Sequence, residues 1–157
     1  MRVDVMSKMR GVDAFPKLWK RRTTIELPGG TRCDLLSLPD LVQAKKTQRD
    51  KDWPMIRRLV EAHYFQKSAK PNPAQIRFWL QELRTPQLLV EVAQRHALLW
   101  RELISKRPLL AHAAPGKLED LVRALAAEES AERERDRHYW LPLRAELEKL
   151  RLAGVRK

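Results

Sequence analysis

The chain has 157 residues, 43% of them hydrophobic and 33% charged, the balance of one ordinary folded domain or two very small ones rather than of a disordered chain. Lys and Arg outnumber Asp and Glu by 32 to 20, a net charge of +12 with a pI near 10.3, and no apolar run reaches the ~18 residues that a membrane-spanning helix needs. One cysteine, Cys33, excludes an intramolecular disulfide framework and a Cys-based zinc site, and the basic N-terminus has no apolar stretch behind it, so a cytoplasmic protein is expected.

In chain order, residues 1–7 alternate loosely, with Val3 and Val5 on one side, and read as a short strand. Gly11-Val12-Asp13 is a turn, and residues 14–20 form a short helix with Phe15, Leu18 and Trp19 facing inward. Residues 22–27 and 31–36 are β-branched and alternating, and Pro28-Gly29-Gly30 between them signals a β-hairpin. From Ser37 the period changes. Ser37-Leu-Pro-Asp40 has the form of a capping box and opens a helix to about Thr47. Asp50 or Asp52 caps the next helix, whose stripe is Met55, Ile56, Leu59, Val60 and His63 or Tyr64.

Residues 68–72 before Pro73 read as a linker, and everything after them reads as helical. Asn72-Pro73 and Thr85-Pro86 are helix starts, the second helix continuing through His96 to Ile104. Residues 108–116 break the pattern. Leu118, Leu121, Val122 and Leu125 begin another helix, which carries a mixed-charge stretch from Glu128 to Arg137, expected as a solvated face with pairs four residues apart. Pro142 kinks or starts a last segment with Leu143, Leu147 and Leu150 on one stripe. The fold class is α+β, a small sheet followed by a predominantly helical part. The division is 1–67 and 73–153.

The positive charge leans toward the N-terminal part: 16 basic and 8 acidic residues in 1–70, against 16 and 12 in 71–157. Such an excess suits a solvated face, a polyphosphate ligand or a nucleic acid, which Lys and Arg bind with release of counterions. No zinc-finger, helix-turn-helix or aromatic RNA-stacking signature accompanies it. His63, His96, His112 and His138 lack metal-ligand spacing. Trp53, Trp79, Trp100 and Trp140 fall in helical stripes and read as core anchors, and Cys33 reads as a plain buried thiol.

Residues 35–60 carry Leu36, Ser37, Asp40, Leu41, Val42 and Lys45, followed by Arg49, Lys51 and Asp52. This order resembles the "L-S-x-x-D-L-I-x-x-K … R-x-K-D" segment of small nucleotidyltransferase-fold proteins of the DNA polymerase β superfamily, which include bacterial toxin-like members. Upstream, Asp4 matches the strand that carries that family's third acidic residue. The resemblance covers residues 1–65. It implies Mg2+ and a nucleoside triphosphate as cofactor and substrate, Asp4 as a metal-ligating acid, and Lys45, Arg49 and Lys51 as phosphate contacts. In that family a Gly-Ser turn and an Asp-x-Asp strand precede the strand matched by Asp4, whereas three residues precede Asp4 here. Asp50-Lys51-Asp52 and Gly29-Gly30 share letters with those elements but read as capping and salt-bridge structure and as a hairpin turn. The expectation is therefore a truncated or degenerate nucleotidyltransferase-like chain that transfers no nucleotidyl group by itself. Two other readings stand beside it. One is a helical interaction protein, forming a homo-oligomer or binding an antitoxin-type partner through residues 73–153 or an open sheet edge. The other is a basic nucleic-acid-binding module.

Overall fold

The structure is a computed structural model, and it describes residues 8–154. The strand expected at residues 1–7, with Asp4, lies outside the described residues. The fold is α+β: a short helix and a two-stranded hairpin lead into a helical body. Helix α1 is Phe15–Lys20, strands β1 and β2 are Thr23–Glu26 and Arg32–Leu35, and α2 to α6 are Leu38–Ala44, Asp52–Lys67, Pro73–Glu82, Pro86–Arg95 and Ala97–Ile104. A 3-10 turn at Pro108–His112 precedes α7, Leu118–Gly154.

The hairpin follows its sequence pattern. Thr23 pairs with Leu35, Ile25 with Cys33 and Glu26 with Arg32. Alternation therefore puts Ile25, Cys33 and Leu35 on one face and Thr24, Glu26, Arg32 and Asp34 on the other. Gly29 (φ 95°) and Gly30 (φ 80°) supply the left-handed conformations of the connection. Both strands are largely exposed, and Cys33 is only half-buried. Of the three side chains expected inward on α1, only Leu18 is buried; Phe15 and Trp19 stack on each other with ring centroids 5.6 Å apart and stay exposed. Six residues make fewer than two turns, so α1 has one inward position and not three.

The core lies in the helices. Val42, Trp53, Ile56, Val60 and Tyr64 of α2 and α3 form one cluster with Ile76, Trp79, Leu80, Leu83, Leu89, Val92, Leu103, Leu110, Leu121 and Leu125. Helix starts follow local chemistry. Asn72 and Gln75 form a reciprocal capping box, each side chain bonding the other's backbone N–H at 2.9 Å. Pro39, Pro73 and Pro86 lie in first turns.

Several expectations are corrected. Ser37 is the N-cap of α2 and accepts from the Asp40 N–H, but the Asp40 carboxylate does not return the bond to Ser37's backbone; it is held by Arg21 and by the Ser37 hydroxyl. Neither Asp50 nor Asp52 caps α3; the N-cap is Lys51, with Asp52 inside the first turn and buried. The helix expected to run from Pro86 to Ile104 breaks at His96 (φ −130°, ψ 52°), which lets α6 turn back onto α4. Conversely, α7 runs unbroken through Pro142 for 37 residues, about 55 Å.

Candidate functional site

The basic residues singled out by the resemblance lie on the loop that joins α2 to α3. They converge on one buried carboxylate. Asp52 is 1% exposed. Its Oδ2 accepts from the Thr47 hydroxyl at 2.5 Å and from Arg49 Nε at 2.8 Å, and its Oδ1 faces Lys45 Nζ at 3.5 Å. Burial works to raise the Asp52 pKa, but the Thr47 hydroxyl and the two cations outweigh it and hold the carboxyl below its ordinary value. Trp53 locks the same loop by donating its indole N–H to the Thr47 carbonyl at 2.8 Å.

Lys45 and Arg49 are thus brought together, whereas Lys51 is not. It points away, exposed, beside Pro54, Met55 and Arg58 on the outer surface of α3. Arg49 gives only its Nε to Asp52 and is more than half exposed, and its two terminal nitrogens have no hydrogen-bond partner among the described residues. A guanidinium in that state can take a second, planar oxyanion partner.

A second polar layer binds this loop to α7. Asp136, 3% exposed, accepts from the Gln48 backbone N–H at 3.0 Å, from Arg10 Nε at 3.3 Å and from the Trp140 indole at 3.2 Å. Arg10 also donates to Glu132 at 2.9 Å and to the Lys46 carbonyl at 2.6 Å. Lys46 pairs with Glu82 at 2.8 Å. Farther along α7, Glu128 receives Arg107 at 2.8 and 3.0 Å and Arg84 at 3.0 Å, while Arg107 donates to the Leu80 and Leu83 carbonyls that end α4. Burial would raise the Glu128 pKa, but the two guanidinium groups hold it below the ordinary value. The stretch from Glu128 to Arg137 is therefore only in part the solvated face expected: Glu134, Arg135 and Arg137 are exposed and Glu129 pairs with Arg133 four residues on, but its other side turns inward. Glu128, Glu132 and Asp136 recur every four residues and turn inward to cations from distant segments. Sequence reading missed them because pairs such as Glu129–Arg133, which also form, produce the same local pattern.

Between this layer and the distal part of α7 lies a partly open cavity of about 340 Å³. Arg10, Lys46, Arg49 and Arg144 supply its polar wall, and Met9, Ala44, Trp140, Leu143 and Leu147 its apolar wall.

The donor set does not fit a divalent-metal centre. Both oxygens of Asp52 already face cations or a hydroxyl, Asp40 is claimed by Arg21 and Ser37, and Asp136 by three donors. Asp50 is exposed and paired with Arg133. Among the described residues, no group of three or more His, Cys, Asp or Glu side chains is placed to hold a metal ion. Magnesium requires several oxygen ligands in near-octahedral array. Among the described residues, no helix is long and apolar enough to cross a membrane. Compared with protein-family models, with curated proteins and with solved structures, the chain gives no match.

Proposed function

We propose that this is a nucleotidyltransferase-like protein whose α2–α3 loop receives the phosphates of a nucleotide, and that the described residues by themselves carry out no nucleotidyl transfer. One observation supports the reading above the others. The hairpin, the Ser37-capped helix, and Lys45 and Arg49 gathered on the buried head of α3 follow one another in the order of the motif. Asp52 holds the two cations by one contact each and leaves the Arg49 fork free to meet a phosphate from solvent. No transfer step is assigned to these residues, because the carboxylates nearest the loop, Asp40, Asp52 and Asp136, are each paired with a cation.

Calorimetric titration with ATP and magnesium tests this. The expected result is weak binding, with a Kd of about 1 mM, reduced further by Arg49→Ala and accompanied by no release of pyrophosphate. Absence of any heat at high nucleotide would overturn the phosphate reading. Pyrophosphate release that disappears in Asp4→Ala would overturn the statement that the chain does not transfer.

A second reading, a helical interaction protein, is favoured by a different observation. Every described side chain from Leu141 to Ala153 is exposed, leucines included.

A further inference from the structure

Helix α7 keeps one face along its whole length. Leu121, Leu125, Glu128, Glu132, Asp136, Trp140, Leu143, Leu147 and Leu150 follow one another at intervals of three or four residues, and so share one side. As far as Asp136 that side is covered by the body: Leu121 and Leu125 are buried and the acids are paired. Beyond Trp140 it is largely uncovered, with Leu143, Leu147 and Leu150 at 44%, 56% and 64% exposure, Leu143 and Leu147 also walling the cavity. Trp140, Leu143, Leu147 and Leu150 occupy alternating a and d positions of a heptad, the seam along which helices pair.

We propose that a second copy of this chain covers this seam, as an antiparallel pair of α7 ends related by a two-fold axis. The pair would cover the cavity wall that holds Lys46 and Arg49, so it competes with a phosphate at the α2–α3 loop and is tested without nucleotide. Two observations commit it to this occupant and this orientation. The first is steric. The body sits on the seam side of α7 up to Asp136, so a parallel partner would have to run its own residues 118–136 through space the body fills. An antiparallel partner leads its body away beyond the helix end. The second is self-complementarity. In the register that sets Leu143 against Leu147 of the other copy, Leu150 of each chain falls opposite Trp140 of the other. That places it at the mouth of the cavity whose apolar wall is Met9, Ala44, Trp140, Leu143 and Leu147. One two-fold operation fills both cavities, as an isologous interface requires.

The charges are secondary. Arg144 would face its own copy, and so would Glu146, a mild repulsion at exposed helix positions. A parallel pair would set Glu146 against Arg151, a gain of the same small size, which cannot offset overlap of two folded bodies. The seam and cavity walls together would bury about 1,000 Å² in total, the low end for a specific interface. The pair is therefore taken as a weak, concentration-dependent one, with a Kd of about 10–100 μM.

Sedimentation equilibrium over a loading range of about 1 μM to 1 mM tests the proposal. The mass is expected to rise from 18.4 kDa toward twice that value, with tighter association at higher salt because like pairs are screened. Leu147→Glu is expected to weaken association at least about tenfold without moving the urea midpoint, since Leu147 is exposed in the single chain. Register is read by oxidising a mixture of Leu143→Cys and Leu147→Cys chains, each also carrying Cys33→Ser. The mixed disulfide is expected to dominate over either homodimer. A strict monomer throughout the range, association untouched by Leu147→Glu, or preferential cross-linking of Leu143→Cys to itself would each overturn the proposal.

Discussion

At the scale of single residues, the molecule spends its charge on buried acids. Asp52 is the clearest case. Its removal leaves Lys45, Arg49 and the Thr47 hydroxyl facing a void, and Asp52→Ala is expected to cost about 2 kcal/mol in a urea titration. That is less than a fully buried pair would cost, because Arg49 is half in water. Glu128 is itself 26% exposed, but it lies between Arg84 and Arg107, whose side chains are 7% and 6% exposed. Glu128→Ala strands two guanidinium groups, and a loss of about 3–5 kcal/mol is expected. The pH dependence follows the same logic. Carboxyls held below their ordinary value in the folded state, Asp40, Asp52, Glu128 and Glu132 among them, contribute stability that is complete above about pH 5. That contribution is lost as pH falls through their folded values. His63 has the opposite charge sign but the same trend. Burial, aided by Lys67, lowers its pKa, and its neutral Nδ1 accepts from the Trp79 indole at 2.9 Å. The unfolded chain then takes up a proton first as pH falls below about 6.5. The urea midpoint is expected to decline between about pH 7 and pH 5, and His63→Gln is expected to flatten part of that decline.

At the scale of elements, starts and turns obey local rules, and two small changes expose them. Asn72→Ala removes one half of the capping box of α4 and is expected to cost about 1 kcal/mol, measured by thermal or urea unfolding. Gly11 has φ 71°, and a Cβ there would come within 2.4 Å of the Gln43 side-chain amide. Gln43 can swing aside, so the backbone strain dominates, and Gly11→Ala is expected to lose about 1–2 kcal/mol. The hairpin and its turn, the Pro-led helix starts and the Ser37 cap were all legible in sequence, since each depends on residues close together in the chain. The break at His96 was not. Residues 86–104 keep an apolar stripe throughout, and only the need for α6 to lie against α4 interrupts the helix. On α1, the spacing of Phe15, Leu18 and Trp19 was correctly helical, but the number of them covered depends on what lies opposite.

At the scale of the whole molecule, α7 is the organising beam. Its first part closes the core through Leu121 and Leu125, its middle ties Arg10, Arg84 and Arg107 into one polar layer, and its end projects the leucine seam. The net charge of +12 therefore says less about partners than it does in the bare sequence. Among the described residues, Arg10, Arg21, Lys46, Arg84, Arg107 and Arg133 all have carboxylate partners. Arg49 stands between the two classes, tied at one nitrogen and open at the others, which is why the phosphate reading rests most on it.

By itself the sequence determined the class of fold, the hairpin and most helix starts, because hydrophobic period, proline and capping residues act within one or two turns of chain. It also placed Lys45, Arg49 and Asp52 in one short segment. Only the tertiary structure decided that Asp52 is buried and claimed by Lys45 and Arg49, that the acids of α7 face inward, and that Leu143, Leu147 and Leu150 are largely uncovered. Each of those outcomes depends on groups far apart in the chain, Arg10 and Asp136 being 126 positions apart. No local period distinguishes an acid that meets a distant arginine from one that meets water.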